Sequence, residues 1–123
     1  MITGILHTSF LTTDLMKART FYEGVLGLQP DPNRPVMSFE GVWYNVAVNQ
    51  QIHLLLLPNP EASLQRPVHG GRDRHVALSV SGIVQLIARL DQAGVAYTLS
   101  QSGRRAVFCR DPDGNALEFI EQS

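Results

Sequence analysis

Four side chains of metal-ligand type form two pairs that occupy matching places in the two halves of the 123-residue sequence. His75 follows His7 by 68 residues, and Glu118 follows His53 by 65. His7 and His75 open strand-like segments, and His53 and Glu118 lie in short apolar segments near the end of each half. Imidazole and carboxylate together suit Zn²⁺, Ni²⁺, Co²⁺, Mn²⁺ or Fe²⁺ better than Ca²⁺, which prefers oxygen throughout. The pattern predicts one divalent metal ion held by His7, His53, His75 and Glu118.

A simpler interpretation needs no metal. Each histidine would be an ordinary strand residue, and Glu118 would be a solvated carboxylate at a sheet edge. The duplicated placement of the four residues favours the metal site. So does the position of Glu118, because an acidic side chain within the apolar segment 117–120 is costly to bury without a partner. His69 belongs to neither pair and lies in a glycine-rich stretch, so we expect it at the surface.

The elements that must position these residues follow the same order in both halves, strand, helix and three strands. In the first half, Leu15, Ala18, Tyr22 and Leu26 recur at helical spacing, and three prolines in 30–35 predict a loop. The predicted elements are a strand at 3–12, a helix from Asp14 to Gly27, and strands at 36–39, 42–48 and 51–57.

The second half repeats this βαβββ pattern after a connection of proline, glycine and charged residues. We predict a helix that starts at Ser81 and stops at Gly94, and a tight turn at 111–115. The predicted strands are 75–80, 97–99, 106–110 and 116–121. Because side chains alternate along a strand, each opening histidine points away from the bulky residues that face the helix.

Composition limits the function. The formal net charge of −1 and the dispersed arginines give no electrostatic footprint for nucleic acid or anionic lipid. The longest apolar run, 54–57, is far shorter than the roughly twenty residues of a membrane span. A single cysteine, Cys109, and the lack of a signal-like N-terminus lead us to expect a soluble cytoplasmic protein without disulfides.

The residues also resemble those of a known family. The resemblance covers nearly the whole chain and rests on these motifs: Leu6-His7, Thr13-Asp14-Leu15, Phe21-Tyr22, Val25-Leu26-Gly27-Leu28, Asp73-Arg74-His75-Val76-Ala77, and Phe108 through Asp111-Pro112-Asp113-Gly114-Asn115 to Leu117-Glu118. They are similar to the vicinal-oxygen-chelate superfamily, which includes glyoxalase I, methylmalonyl-CoA epimerase, extradiol dioxygenases, and fosfomycin and bleomycin resistance proteins.

The resemblance implies an α+β fold in which two βαβββ modules form a half-open mixed β-barrel around the metal. It implies a single domain of two repeats, at about 1–58 and 74–123 with a connector at 59–73, and a homodimer. His7, His75 and Glu118 match three ligand positions of such proteins. His53 departs from the pattern, because glyoxalase I has a carboxylate at that position and the epimerase an amide.

The expected function is metal-dependent chemistry on a small oxygen-rich substrate bound through two neighbouring oxygens, of the lyase, isomerase or epimerase type. Glu118 is the candidate catalytic residue, and Ser9, Trp43 and Arg105 are candidate substrate-binding residues, although Trp43 could simply pack. One alternative is an extradiol-type dioxygenase, in which His53 would act as an acid–base residue. Another is a protein that binds a drug or metabolite without turnover.

Overall fold

The computed structural model describes residues 1–122, and the chain divides into two compact units, Met1–Ala62 and Ser63–Ser123. Each unit contains one four-stranded mixed sheet, whose first strand is followed by a helical segment and then by three strands. The predicted α+β class and the two βαβββ modules are therefore confirmed. The eight strands form two separate open sheets.

The first unit begins with a strand that is shorter than predicted. Its elements are β1 (His7–Thr12), α1 (Leu15–Arg19), a π-helical turn (Thr20–Val25), β2 (Gln29–Pro30), β3 (Gly41–Ala47) and β4 (Gln50–Leu56). The helical segment starts at Asp14 as predicted, and Asp14 caps α1, because its carboxylate accepts a hydrogen bond from the Lys17 N–H at 3.1 Å. Gly27 follows the helical segment with a φ of 75°, in agreement with the predicted stop.

The prediction of a strand at 36–39 was wrong. The segment carries apolar residues, but Val36 is fully exposed. The strand that follows the helical segment is instead the short β2, which pairs with Asn45 and Tyr44 of β3. Pro30 can occupy β2 because an edge strand tolerates a missing N–H. Arg34 instead binds the carbonyl of Phe39 at 3.0 Å and closes the segment as a loop.

The second unit follows the predicted boundaries closely. Its elements are β5 (His75–Val80), α2 (Ile83–Gln92), β6 (Tyr97–Leu99), β7 (Ala106–Arg110) and β8 (Ala116–Glu121), and a 3₁₀ turn (Gly70–Arg72) precedes them. The turn at 111–115 is confirmed, since the Asp111 carboxylate accepts hydrogen bonds from the N–H groups of Asp113 and Asn115.

The predicted start of α2 at Ser81 was wrong by one residue. Gly82 is the N-cap, with a φ of 98° that suits glycine, and it has no side chain with which to cap the helix. The Glu121 carboxylate of β8 replaces that cap by accepting both the Gly82 and the Ile83 N–H at 2.9 Å. A residue distant in sequence therefore performs the capping, and local sequence does not reveal it.

The two sheets have equivalent strand orders, β1-β4-β3-β2 and β5-β8-β7-β6. In each, the last strand of the unit lies beside the first, in parallel, and beside the third, antiparallel. The equivalence extends to single residues: His53 pairs with Trp43 on one side, and Glu118 pairs with Phe108. The internal repeat predicted from sequence is thus present in the register of the strands. No helix within residues 1–122 is long and apolar enough to cross a membrane.

Candidate functional site

The candidate ligands of the first unit lie on one face of its sheet, in two adjacent rows. Strand register places each row across β1, β4 and β3. The rows consist of His7, Gln51 and Asn45, and of Ser9, His53 and Trp43. The predicted site residues Ser9 and Trp43 therefore flank His53 directly.

The His53 ring is held between two other rings. Its centroid lies 4.1 Å from that of Trp43, with the planes 3° apart, and 3.9 Å from that of His7, with the planes 13° apart. Since β4 runs between β1 and β3, the two neighbours approach from opposite sides. His53 is consequently buried, with 8% of its surface exposed, whereas His7 is exposed.

This environment keeps the His53 imidazole neutral. Burial is the main cause that lowers its pKa, to about 4, and the charges of His7 and Arg34 act in the same direction against the opposing effect of Asp31. A neutral imidazole is the form that binds a metal ion. The His7 and His53 rings are stacked, so the exposed His7 ring would have to rotate for both histidines to hold one metal ion.

A hydrogen-bonded chain fixes the edge of the His53 ring. Its Nε2 lies 2.8 Å from the amide oxygen of Gln51, and the Gln51 nitrogen donates to the Asp31 carboxylate at 2.8 Å and to the Asn45 oxygen at 2.9 Å. The other Asp31 oxygen accepts the Asn33 N–H at 2.9 Å, so Asp31 is itself held in place. Sequence reasoning missed this chain, although Gln51 is two residues before His53 and therefore on the same face.

The candidate ligands of the second unit, His75 and Glu118, are in direct contact. His75 Nδ1 lies 2.8 Å from the backbone carbonyl of Asp73, and its Nε2 lies 3.2 Å from Oε1 of Glu118. The Phe108 ring meets His75 edge-on at 5.3 Å. Glu118 is 3% exposed. A carboxylate buried to this extent needs a polar partner, and His75 is one.

The loop that presents the Asp73 carbonyl is tied down by two arginines. The Asp73 carboxylate pairs with Arg110 at 2.8 Å and with Arg66 at 3.2 Å. Burial acts to raise the pKa of Asp73, but hydrogen bonds from Arg110 and the Arg74 N–H, with the two arginine charges, outweigh it and lower that pKa. The residue whose carbonyl accepts from His75 is therefore held by two ion pairs.

Glu118 has a second partner that sequence reasoning missed. Arg104 donates to Glu118 Oε2 at 3.1 Å, and its side chain is 58% exposed. The predicted residue was Arg105, whose substrate-binding role stays a prediction. Strand alternation gives no signal for Arg104, because Arg104 lies in the bend at 101–105, before β7 begins at Ala106.

His69 is less exposed than predicted. Its Nδ1 lies 2.7 Å from the Thr98 hydroxyl, and its ring contacts Phe108 edge-on at 4.7 Å. His69 reaches the surface with only part of its side chain, because Thr98 and Phe108 provide a polar and an aromatic partner for its half-buried ring.

Each unit thus brings two of the four predicted ligands together. Among residues 1–122, no group of three or more His, Cys, Asp or Glu side chains is close enough to hold one metal ion. The first unit also has an open cavity of about 740 Å³ on the face that carries His7 and His53. Its walls include Met37, Phe39 and Trp43.

Comparison with known proteins identifies the family. The model of the Glyoxalase/Bleomycin resistance protein/Dioxygenase superfamily matches residues 4–119. This chain belongs to that superfamily, as its motifs predicted.

Two curated relatives span most of the chain. The protein YaeR of Escherichia coli (strain K12) is 33% identical over 94% of this chain and 94% of its own length. Glyoxylase I 4 of Arabidopsis thaliana is 28% identical over 96% of this chain and 70% of its own length.

Solved structures share the fold. A glyoxalase family protein from Bacillus anthracis is 25% identical, with a TM-score of 0.76 over 100% of this chain and 98% of its own. The fosfomycin resistance protein FosX of Listeria monocytogenes, solved with Mn(II) and a dihydroxypropylphosphonic acid, gives a TM-score of 0.76 at 17% identity, covering 100% of this chain and 95% of its own. TnmS3, an antibiotic binding protein from Streptomyces, gives a TM-score of 0.74 at 22% identity, covering 99% of this chain and 98% of its own.

Proposed function

We propose that the protein is a divalent-metal-dependent enzyme acting on a small oxygen-rich substrate, in a reaction of the lyase, isomerase or epimerase type. The proposed ligands are His7, His53, His75 and Glu118. The observation that carries the proposal is the contact between His75 and Glu118.

The hydrogen-bonding pattern of His75 explains why this contact suits a cation. A backbone carbonyl can only accept, so the Nδ1 that faces Asp73 carries the proton in the neutral ring. The Nε2 lone pair then faces a carboxylate oxygen, which also only accepts. A cation held by both atoms would make this contact favourable, as would a proton between them.

The spacing agrees with a shared ion. Two ligand atoms about 2.1 Å from one metal lie roughly 3.0–3.4 Å apart for angles between octahedral and tetrahedral. The observed separation of His75 Nε2 and Glu118 Oε1 is 3.2 Å. Donation of the second ring N–H to a backbone carbonyl is also the usual support of a metal-binding histidine.

The repeat supports the addition of the first-unit pair. His7 and His53 occupy the positions of His75 and Glu118 in an equivalent sheet, and His53 is neutral. The Mn(II) in the structure of the fold relative FosX supports a divalent metal in general and no particular ion here.

A divalent ion would supply Lewis-acid stabilisation of the negative charge that develops on adjacent substrate oxygens. Glu118 is the proposed residue for proton movement, since Arg104 holds its Oε2 and leaves Oε1 directed toward His75. Trp43 and Ser9 would contact the substrate from the face that carries His53, and Arg105 would meet an anionic group. We propose a homodimer, as is usual for the superfamily.

Calorimetry on chelator-treated protein tests the metal site, with Zn²⁺, Ni²⁺, Mn²⁺ and, without oxygen, Fe²⁺ as probes. We expect one ion per chain from at least one of these metals, and a loss of affinity of tenfold or more in His75→Gln and Glu118→Gln. His69→Gln is the matched control, because it removes a half-buried histidine of the same unit that is not a proposed ligand. Binding at a hundredfold excess over Kd would stabilise the fold by about 2.7 kcal/mol.

A second candidate is a binding protein without turnover, and the open aromatic cavity beside His53 and the fold shared with the antibiotic-binding TnmS3 favour it. Wild-type protein that binds none of the four metals would refute the enzyme and favour this candidate. An extradiol-type dioxygenase would instead consume oxygen with catechols in the presence of Fe²⁺.

A further inference from the structure

We propose that Gln51, held by Asp31 and Asn45, fixes His53 as the tautomer protonated at Nε2, so that His53 offers a metal only its Nδ1. The inference rests on the proposed metal site and adds a positioning residue to it. It also distinguishes the two units, because His75 offers Nε2.

The orientation of the Gln51 amide follows from its partners. The Asp31 carboxylate only accepts, so the Gln51 group that faces it at 2.8 Å must be the NH₂. The Gln51 oxygen is then the atom that faces His53 Nε2 at 2.8 Å. Since this oxygen only accepts, the proton between the two side chains belongs to Nε2.

The ring cannot easily exchange its two nitrogens. A flip of the His53 ring would have to pass between the parallel rings of Trp43 and His7, which lie 4.1 Å and 3.9 Å away. It would also break the Gln51 contact. Stacking on Trp43 and His7 holds the plane of the His53 ring, and the contact with Gln51 determines that Nε2 is the nitrogen that faces Gln51.

The equivalent position in the second unit has no such residue. Ala116 pairs with His75 as Gln51 pairs with His7, and alanine can orient no imidazole. There the backbone carbonyl of Asp73 binds Nδ1 and leaves Nε2 free for Glu118. Each unit therefore fixes the proton of one imidazole, on opposite nitrogens.

Nitrogen-15 NMR of the histidine side chains in metal-free protein tests the tautomer directly. We expect wild-type His53 to be protonated at Nε2 alone, with that proton protected from exchange. Asp31→Asn changes no volume but lets Gln51 present either end, so His53 should divide between tautomers. A proton on Nδ1 of wild-type His53 would overturn the proposal.

Zinc titration then separates this inference from the proposed function. Zn²⁺ should perturb Nδ1 of His53 and Nε2 of His75, and a perturbation at Nε2 of His53 instead would overturn the inference. If Zn²⁺ perturbs neither ring while the metal-free tautomers are as expected, the zinc site fails and the role of Gln51 stands.

A loss of affinity gives a second readout. Gln51→Ala should weaken Zn²⁺ binding by about 10- to 100-fold, the range for residues that support a ligand. Gln29→Ala, which removes an exposed glutamine of the same unit, should bind as wild type. Circular dichroism establishes that both variants fold. Unchanged affinity in folded Gln51→Ala would contradict a positioning role.

Discussion

Trp43 and Phe108 occupy the same position in the two sheets, each paired across strands with the candidate ligand at the centre of its sheet. Trp43 lies flat on the neutral ring of His53, whereas Phe108 pairs with Glu118 and meets His75 edge-on. The two aromatic residues also differ in burial: Phe108 is 6% exposed, and Trp43 is half-buried on an open cavity. The same place in the repeat is therefore part of the core in one unit and part of the cavity wall in the other.

Replacement of these two residues should have unequal effects on stability. Phe108→Ala should lower the free energy of unfolding by about 3–5 kcal/mol, because it leaves a cavity among buried neighbours. Trp43→Ala should cost clearly less, because solvent already reaches its ring. Urea unfolding followed by circular dichroism measures both, since Trp43 is the sole tryptophan and its removal abolishes that fluorescence. Equal losses would contradict the assignment of Trp43 to the cavity wall.

The capping of α2 by Glu121 predicts a long-range effect. Glu121→Ala should destabilise the protein by about 1 kcal/mol, as loss of an N-cap side chain does, because two N–H groups lose their acceptor. Ser81→Ala is the control and should change stability by less than about 0.5 kcal/mol. Thermal unfolding of the two variants distinguishes them, and a larger loss in Ser81→Ala would restore Ser81 as the start of the helix.

The lowered pKa of Glu23 makes the stability of the fold depend on pH. The hydrogen bond from Arg19 is the main cause that lowers the Glu23 pKa, burial opposes it, and the Tyr44 hydroxyl at 2.8 Å lowers it further. Because the folded pKa lies below the ordinary value of 4.5, the carboxylate stabilises the fold above that pH, and its contribution disappears as the pH falls through the folded pKa.

Glu23→Gln should therefore lose about 1 kcal/mol at pH 7 and converge with wild type in acid. Urea midpoints between pH 3 and pH 7 provide the measurement. The exposed Glu40→Gln is the matched control and should follow wild type throughout. A Glu23→Gln deficit that stays constant with pH would show that packing, rather than charge, is responsible.

Two glycines should respond in opposite directions to the same change. Gly94 has a φ of 70° after α2, so Gly94→Ala should cost about 1 kcal/mol from backbone strain alone, since nothing lies within 4 Å of the added methyl. Gly24 lies in the π-helical turn without a positive φ and also has open space, so Gly24→Ala should stabilise by about 0.4–1 kcal/mol. Melting temperatures of the two variants on either side of wild type would agree with this; shifts of the same sign would not.

The fold was predictable because its repeat is visible in single residues. The separations of His7 from His75 and of His53 from Glu118 correspond to equivalent positions in the two sheets. The misplaced strand at 36–39 had an apolar pattern but no partner strand, and the two-residue β2 that pairs instead contains a proline that counts against strand formation. A pattern of apolar residues predicts that a segment forms a strand, but it does not predict which other strand that segment pairs with.

The candidate site was predictable in its principal side chains and not in their supports. Residue type and repeat indicated His53 and Glu118, because the two residues occupy matching places in the two halves of the sequence. The contacts of Gln51 and Arg104 depend on side-chain direction and on which atom meets which. Such contacts follow from register, which only the folded chain defines.

The strand order also determines when each sheet can assemble. The last strand of each unit, β4 or β8, separates the first strand from the third, and β1 and β5 each pair with it alone. During synthesis the opening histidine strands must therefore wait without a partner until the final strand of their unit emerges, and that strand carries His53 or Glu118. The first sheet can close while the second is still being made, and truncation within β8 would remove a proposed ligand and the centre of its sheet together.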